Sequence, residues 1–400
     1  MSQRYPDITS PQFGRQARSA IVELVLAHLP LGIDGTKIDD RLAWDILCYA
    51  SLKRMTIESA CLELNKAPSG NTVREHLNES LSPEPKEMKW LEARLNETMR
   101  TQPPKEVWRR IKKKRVEIAI DLVEIPYHGE PELDEKEVRR SVAKSGTTHF
   151  HMYATLAVVH HQQRFTLALT FVWAGEKMEV VLARLLKLAR ALGIRIKRLY
   201  CDKGFSSVAV FRTLRQRRVP YIIPIPARGG AGGIKGLFLG RRSYYARYTF
   251  NRGTAQAYTT DVVIVCKYSR GRYDRHGVEY FAYAVYRLGR VEARQIFELY
   301  RRRFGIETSY RQVHQVRAWT TSRNPALRLL LVGLALLIVN LWVLMSQAWV
   351  TMTNYGSRVR VVEVTLERMA DAILDNLKHS LGAIPVFEID AVLHGTQIVS

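Results

Sequence analysis

One part of the chain predicts a buried sheet in which two strands each lead to an aspartate. Residues 116–125, VEIAIDLVEI, combine β-branched and other apolar side chains as a buried central strand does, with Asp121 among them. A second aspartate, Asp202, directly follows another apolar segment. Between the two, the pattern predicts two strands, a crossover helix and a further strand, at Thr148–His160, Arg164–Trp173, Glu176–Leu192 and Ile194–Cys201. An α/β domain is therefore expected.

The two aspartates have different alternatives when each is considered alone. A single carboxylate on a buried strand, such as Asp121, is costly unless it pairs with a cation or binds a metal ion. Asp202 stands between a strand and Lys203-Gly204-Phe205, where it could instead cap a short helix. The residues themselves leave both interpretations open.

A third acidic residue lies on a predicted helix further along the chain. Between residues 291 and 316 there is no proline, the only glycine is Gly305, and strong helix formers dominate. With about 3.6 residues per turn, one narrow stripe of this helix would carry Tyr300, Arg303, Glu307, Arg311 and His314. The stripe suits a phosphate-handling site with one acidic metal ligand. A solvated basic helix with an incidental glutamate is the alternative.

The charge of the chain indicates a polyanionic partner. Its 400 residues carry a net charge of +23, with a pI near 10.0, and such an excess of positive charge favours binding to nucleic-acid phosphates. The four cysteines form no C-x2-C pair, which disfavours a zinc site and a disulfide framework. Because the N-terminus lacks a signal-peptide pattern, we expect an intracellular protein.

Residues 1–107 are predicted to form a helical DNA-binding domain with a possible helix-turn-helix at residues 56–80. A proline and a glycine interrupt two segments of helical periodicity there, and Ser69 or Asn71 could cap the second helix. Arg74 on that helix is then placed to reach DNA. An ordinary helical hairpin has the same pattern.

A basic run connects this region to the first strand. Residues 108–115, WRRIKKKR, contain six Lys or Arg, among them Lys112, Lys113 and Lys114. These side chains could hold DNA phosphates or belong to a solvated linker.

A β insertion is predicted between Asp202 and Glu307, at about residues 228–288. Residues 205–252 contain ten Lys or Arg and no acidic residue, and tyrosines alternate with other side chains as on strands. The glycine-rich stretch near residue 230 lacks the spacing of a nucleotide-binding loop. The predicted strands are Tyr244–Phe250, Gln256–Tyr268 and Val278–Tyr286.

Two later segments have more than one possible environment. Leu327–Met345 is almost entirely apolar and close to the length of a membrane span, but it contains Asn340. A buried helix that backs the sheet explains it better than a membrane helix. The amphipathic helix Leu366–Leu381 could pack on the core or on another subunit.

Several separated motifs resemble one protein family. Tyr300-x2-Arg303-x3-Glu307-x6-His314 is similar to the Y-x2-R-x3-E-x6-K signature of DDE transposases from prokaryotic insertion sequences. The stretches IDLVEIPYHG, KSGTTHF and YCDKGFSS resemble the same family, and together the motifs cover roughly residues 115–345. His314 departs from the family pattern, which has Lys there, so Arg311 or Arg317 could supply that charge.

The resemblance implies an RNase H-like catalytic core at residues 108–345, followed by a C-terminal helical segment at 346–400. In that fold the first and fourth strands are neighbours, so Asp121 and Asp202 would meet across the sheet. With Glu307 they would form a catalytic triad that holds two Mg²⁺ or Mn²⁺ ions. Tyr300 and Arg303 would contact phosphates near the cleaved end.

The implied function is cut-and-paste transposition. The partners would be double-stranded DNA, both transposon ends and target, and a second copy of the chain in a homodimer, with no membrane. The protein would be cytoplasmic and associated with the nucleoid through DNA. A structure-specific endonuclease on the same fold, a non-catalytic DNA-binding protein and a membrane-associated protein are the alternatives.

Overall fold

The structure is a computed structural model with two compact units. It describes residues 11–160, 163–228, 233–268, 278–301, 312–348, 351–355, 358–362 and 364–383. One unit, here called the helical unit, comprises the described residues within Met1–Leu81, Gln315–Thr320 and Trp349–Ser400. The other, here called the sheet unit, comprises those within Ser82–His314 and Thr321–Ala348.

Both ends of the chain contribute to the helical unit. The C-terminal helix α11 (Leu366–Leu381) packs on α1 (Pro11–His28) and α2 (Asp40–Lys53), which answers the question that the sequence left open for this helix. A β-carbon built on Gly14 of α1 would lie only 2.1 Å from the carbonyl oxygen of Ala372 in α11, so the two helices approach closely. The elements are α1 (Pro11–His28), α2 (Asp40–Lys53), α3 (Ile57–Leu62), α4 (Gly70–Ser80), β10 (Thr351–Tyr355), β11 (Arg358–Val362) and α11 (Leu366–Leu381).

Helices α3 and α4 occupy the positions predicted for the helix-turn-helix. The Thr56 hydroxyl accepts a hydrogen bond from the Ser59 amide at 3.1 Å, and the Ser69 hydroxyl accepts one from the Thr72 amide at 3.2 Å. Each hydroxyl thereby caps one helix. The role of these helices in binding DNA stays a prediction.

The sheet unit contains one large mixed sheet. Its strands are β1 (Val116–Pro126), β2 (Arg139–Lys144), β3 (Thr147–His160), β4 (Gln163–Val172), β5 (Ile196–Cys201), β6 (Tyr221–Ile225), β7 (Tyr244–Phe250), β8 (Tyr258–Tyr268) and β9 (Val278–Tyr286). Its helices are α5 (Pro85–Thr101), α6 (Lys105–Lys113), α7 (Met178–Ala191), α8 (Val208–Gln216), α9 (Gln295–Arg301) and α10 (Pro325–Ala348).

The strand order confirms the predicted fold class. Strands β4, β3, β1, β5 and β6 are consecutive neighbours; β1, β5 and β6 run parallel, and β3 is antiparallel to β1 and β4. Along the chain, these five strands come in the order β1, β3, β4, β5 and β6. The first of them, β1, therefore lies between the second, β3, and the fourth, β5, as in an RNase H-like core.

The predicted β insertion extends this sheet. Strand β9 pairs antiparallel with β6, from Tyr221 opposite Tyr286 to Ile225 opposite Ala282, and β8 and β7 follow it outward. The insertion at about 228–288 is thus continuous with the strands that carry the aspartates.

No sequence pattern predicted β2, which forms a hairpin with β3. The turn between them places Ser145 and Gly146 at φ values of 51° and 78°. Both residues occupy the left-handed region, as a tight hairpin turn requires. The short polar segment lacks the apolar alternation by which the other strands were identified.

Side chains from two helices bind the outer backbone edge of β4. The Asn340 amide accepts from the Thr166 N–H at 2.9 Å and donates to the Thr166 carbonyl at 2.8 Å. Asn96 on α5 bonds the Leu169 N–H and carbonyl in the same way, at 2.6 and 2.9 Å. Polar backbone groups that an edge strand would expose are therefore satisfied inside the protein.

Helix α10 behaves as the core helix that was expected for the apolar run. Its segment Pro325–Ser346 is long and apolar enough to cross a membrane, with a mean hydropathy of 2.5 in its most apolar window, 83% of which is buried in the protein. It packs on α5 and β4. The hydrogen bonds of Asn340 to the Thr166 backbone explain why this polar residue interrupts the apolar run.

The compact units divide the chain at other points than residues 107 and 345. Helix α5 lies against β4, where Asn96 and Glu92 bind its backbone, so residues from Ser82 onward belong to the sheet unit. The C-terminal helix belongs to the helical unit. The functional division into domains stays a prediction.

Candidate functional site

The register of β1 and β5 brings Asp121 beside Asp202. These strands are parallel, with Ile120 opposite Cys201, so the next residue on each is an aspartate. Asp121 is 3% exposed, and Asp202 is half-buried directly beyond the end of β5. The predicted meeting of the first and fourth strands is confirmed.

Both carboxylates are oriented by the backbone of the following residue. Asp121 Oδ1 accepts from the Leu122 N–H at 2.9 Å, and Asp202 Oδ1 accepts from the Lys203 N–H at 2.7 Å. Asp202 is also the N-cap residue of the short 3-10 helix Lys203–Phe205. This is the capping role that the sequence allowed. Capping fixes this carboxylate at the strand end.

A buried arginine lies on the other side of Asp121. Thr155 of β3 is directly opposite Asp121, and its hydroxyl accepts from Arg164 Nη2 at 2.5 Å. Arg164 is 4% exposed. A guanidinium at this depth adds positive charge near the proposed acidic site. No motif in the sequence singled out this residue, although an arginine at the start of an apolar strand is an available signal.

Helix α9 covers the face of the sheet to which Tyr200 belongs. Tyr300 is 4% exposed, its ring packs near those of Tyr200 and Tyr283, and its hydroxyl donates to the Cys201 carbonyl at 3.2 Å. In this position Tyr300 supports the strand end that precedes Asp202. The predicted contact of Tyr300 with DNA phosphate stays a prediction.

The predicted start of this helix at Val291 is wrong. Residues 293–294 form a turn, and α9 begins at Gln295. The Val291 carbonyl accepts from the Tyr245 hydroxyl at 2.7 Å, which holds the chain out of the helix there. Helix formers are present, but a tertiary hydrogen bond takes precedence over their propensity.

A buried ion pair lies on the same strands, four residues before the aspartates. Arg198 Nη1 donates to Glu117 Oε1 at 2.9 Å, and the Tyr200 hydroxyl donates to Glu117 Oε2 at 3.0 Å. Burial is the main reason that the pKa of Tyr200 is raised well above its usual value. Because side chains alternate along a strand, this pair indicates the face toward which Asp121 also projects. Sequence reasoning missed the network.

A second buried cluster follows β1 beyond Asp121. His151 is fully buried opposite Ile125, with its ring 4.6 Å from that of Tyr127. The Arg328 guanidinium lies 4.6 Å from the Tyr127 ring centre. Burial, aided by the charge of Arg328, lowers the pKa of His151 to about 3. This histidine is therefore neutral at physiological pH.

The remaining predicted site residues occupy different places. Arg303, Glu307 and Arg311 lie outside the described residues. His314 is exposed in the sheet unit, whereas Arg317 is half-buried and belongs to the helical unit. The exposed ones on helices or helix ends are Arg74 of α4 and Lys112, Lys113 and Lys114 at the end of α6.

The donor set that Asp121 and Asp202 provide is suited to a hard divalent cation. Two carboxylates on adjacent strands offer the oxygen ligands that Mg²⁺ and Mn²⁺ prefer. Within the described ranges no group of three or more His, Cys, Asp or Glu side chains is arranged to hold a metal. Glu307, which was predicted to be the third ligand, lies outside those ranges.

Comparisons with known proteins identify a family and a fold. A family model described as the transposase DDE domain matches residues 112–341, more than half of the chain. No curated protein matches the sequence significantly. The cryo-EM structure of a piggyBac transposase synaptic complex with hairpin DNA is similar, with a TM-score of 0.51 and 12% identity over 100% of this chain and 89% of that one. At 12% identity, this match shows a similar fold and nothing beyond it.

Proposed function

Because this chain belongs to the transposase DDE domain family, we propose that Asp121, Asp202 and Glu307 are the carboxylates with which it cleaves DNA. As a transposase it mediates DNA cleavage and transposition. The observation that supports these residues is the β1–β5 register, which sets Asp121 and Asp202 side by side. Glu307 completes the set through the signature that it shares with the family.

Divalent-metal dependence is general in this family, and we assign two Mg²⁺ or Mn²⁺ ions to these carboxylates. When bound, such ions activate a nucleophilic oxygen and stabilise charge on the leaving oxygen of a phosphodiester. The chain itself contributes fixed carboxylates, since the Leu122 and Lys203 amides hold one oxygen of each aspartate. Preorganised ligands of this kind lower the cost of assembling the site.

The proposed reaction has two stages at one site. Water attacks the phosphorus at the transposon end, the bond to the DNA 3′ oxygen breaks, and a 3′-OH is released. That 3′-OH then attacks a phosphorus of target DNA, joining the end to the target while another 3′ oxygen leaves. Both stages are in-line displacements on a phosphodiester, so one set of carboxylates serves both.

DNA binding, which follows from the family, needs phosphate contacts around this site. We assign them to the predicted DNA-binding side chains, most of which are cations that can neutralise backbone charge. Arg74 of α4 would contact the transposon end, and a homodimer would hold two ends together. Because the substrate is DNA, the protein would act inside the cell, at the nucleoid. The remaining assigned contacts are Tyr300, Arg303, Arg311, His314, Arg317, Lys112, Lys113 and Lys114.

Metal-dependent cleavage of labelled DNA that carries the element ends tests the proposal. We would compare wild type with Asp202→Asn, which keeps the shape of the side chain but removes its charge. Asp261→Asn is the matched control, because Asp261 is an exposed aspartate on β8 of the same sheet. We expect Asp202→Asn to lose cleavage and joining, while Asp261→Asn keeps both.

Two further measurements make the result decisive. Fluorescence anisotropy must give similar DNA affinity for all three proteins, and thermal unfolding must show that Asp202→Asn folds. Cleavage at the wild-type rate by Asp202→Asn would refute the carboxylate assignment. DNA binding with no metal-dependent cleavage by wild type would instead favour a DNA-binding protein on the same scaffold.

A further inference from the structure

Three buried charged side chains lie on one face of the sheet. Residues directly opposite each other on antiparallel strands share a face. Asp121 of β1 is opposite Thr155 of β3, and Glu117, four residues earlier on β1, is opposite Val159. Val159 is in turn opposite Arg164 at the start of β4. Glu117, Asp121 and Arg164 are all buried, so each of these charges needs compensation inside the protein.

The charge of Glu117 is compensated from β5. Arg198 Nη1 donates to one of its carboxylate oxygens, and the Tyr200 hydroxyl donates to the other. The opposite charges of Glu117 and Arg198 therefore balance at this level of the sheet. The backbone of Arg164 lies at the same level, but Glu117 does not require its charge.

The side chain of Arg164 extends along the sheet toward Asp121. Its backbone is opposite Val159, whereas its Nη2 donates to the hydroxyl of Thr155, four residues nearer to the start of β3. Thr155 is the residue directly opposite Asp121. The guanidinium is thus carried from the level of Glu117 to the level of Asp121, which requires a long side chain.

The guanidinium lies close enough to Asp121 for a substantial electrostatic interaction. Side chains directly opposite on antiparallel strands have Cβ atoms about 4.5–5.5 Å apart, and the Thr155 hydroxyl is in direct contact with Arg164. At most one threonine side chain therefore separates the cation from the carboxylate. Because both groups are buried, solvent ions screen this interaction less than they screen one between surface charges.

A divalent ion bound at Asp121 would be repelled by the same guanidinium. Like charges repel and opposite charges attract, and both effects are stronger inside a protein than in water. Arg164 therefore stabilises the Asp121 carboxylate while no ion is bound, and it opposes an ion that approaches this carboxylate. Removal of Arg164 should consequently destabilise the metal-free protein and favour metal binding.

We propose that Arg164 is a positioning residue of the metal site: held by Thr155, it compensates the charge of Asp121 in the metal-free protein and limits the affinity of the site for a divalent ion. This inference rests on the proposed function in one respect, which is that Asp121 binds metal. Arg164 keeps the carboxylate in place before the ion arrives, so that the site is preorganised.

Unfolding of the metal-free protein in a double-mutant cycle tests the compensation of Asp121. Wild type, Arg164→Gln, Asp121→Asn and the double variant are unfolded with denaturant in the presence of a chelator. We expect Arg164→Gln to change the unfolding equilibrium constant about tenfold less in the Asp121→Asn background than in wild type, as for residues that interact. If Arg164→Gln alone does not fold, the double variant should regain the folded state.

The affinity for Mn²⁺ without DNA, measured by electron paramagnetic resonance of the free ion, tests the effect on metal binding. We expect Arg164→Gln to bind Mn²⁺ about tenfold more tightly than wild type. Arg164→Lys keeps the positive charge and should bind as wild type does, whereas Asp121→Asn should bind more weakly.

The matched control is the double variant Glu117→Gln, Arg198→Gln. It removes a buried arginine of the same face together with the carboxylate that compensates it, so the net charge of this face does not change. Its Mn²⁺ affinity should equal that of wild type. A general loosening of the buried face would affect the control and Arg164→Gln alike.

Two outcomes would overturn the inference. Additive effects of Arg164→Gln and Asp121→Asn on unfolding would show that the two charges do not interact. Mn²⁺ affinity of Arg164→Gln no higher than that of the control would show that Arg164 does not limit metal binding. If Asp121→Asn instead binds Mn²⁺ as tightly as wild type, the carboxylate assignment fails, and the unfolding cycle still decides whether Arg164 compensates Asp121.

Discussion

The Tyr300 hydroxyl donates a hydrogen bond to the carbonyl oxygen of Cys201, the residue that immediately precedes Asp202. Through this bond, α9 is fastened to the end of the strand that leads into the second aspartate. The helix in which the signature of the family begins is therefore tied to the sheet.

Tyr300→Phe should lower the free energy of unfolding by about 1 kcal/mol, because it removes one hydrogen bond and keeps the ring. Tyr300→Ala should cost about 3 to 5 kcal/mol, as expected for loss of a buried aromatic ring. Denaturant unfolding measures both. If the predicted phosphate contact also exists, Tyr300→Phe weakens binding to element ends; unchanged affinity would leave Tyr300 a purely structural role.

Asn340→Leu should destabilise the sheet unit by about 2 kcal/mol or more, because the Thr166 N–H and carbonyl would remain buried without their partner. Leu336→Met, a volume-conserving change on the same helix, should cost less than about 1.5 kcal/mol. Thermal and denaturant unfolding of the two variants give the comparison. A stabilising effect of Asn340→Leu would mean that α10 does not pack on β4 in solution.

His151→Phe should reduce the loss of stability in acid. The folded pKa of His151 is about 3, against about 6.5 for an unperturbed histidine. Between these values the unfolded state takes up a proton that the folded state does not, so stability decreases as pH falls, by about 1.4 kcal/mol per pH unit. The variant lacks this contribution. The free energies of unfolding of wild type and His151→Phe, measured at pH 7 and pH 5, test this prediction. An equal decrease in both proteins between pH 7 and pH 5 would contradict it.

Gly14→Ala should destabilise the helical unit, although alanine normally favours a helix over glycine by about 1 kcal/mol. The added β-carbon would overlap the Ala372 carbonyl oxygen, and overpacking of this kind costs about 1 to 3 kcal/mol. Ser19→Ala on the exposed side of α1 is the control and should be near neutral. Greater stability of Gly14→Ala would show that the two helices separate easily.

Local pattern was sufficient for the strands of the sheet other than β2 and for the positions of both aspartates. Apolar alternation located β1, β3, β4 and β5, and the motif order gave their arrangement. The same reasoning could not find Arg164 next to Thr155, or the Glu117–Arg198 pair, because these contacts join strands whose pairing must be known first. It also placed the start of α9 four residues too early, because the hydrogen bond from the Tyr245 hydroxyl to the Val291 carbonyl keeps those residues out of the helix.

The predicted domain boundaries followed changes in composition, whereas the compact units are set by which side chains pack against one another. Asn96 looks like an ordinary polar residue of an N-terminal helix until its side chain is seen to accept from the Leu169 N–H and donate to the Leu169 carbonyl. Likewise, Gly14 and Ala372 carry no mutual signal in the sequence, since their contact spans most of the chain. Long-range pairings of this kind were outside the reach of periodicity.

The contact of α1 with α11 also has a consequence for protein synthesis. At about 5 to 20 residues per second, a ribosome that has finished Pro11 needs roughly 20 to 70 s to reach Leu366. During this time, α1 lacks the helix that α11 supplies in the helical unit, while most of the sheet unit is already translated. Prematurely terminated chains would lack this packing partner, so their N-terminal region would be open to proteases. Completion of the helical unit thus depends on full-length translation.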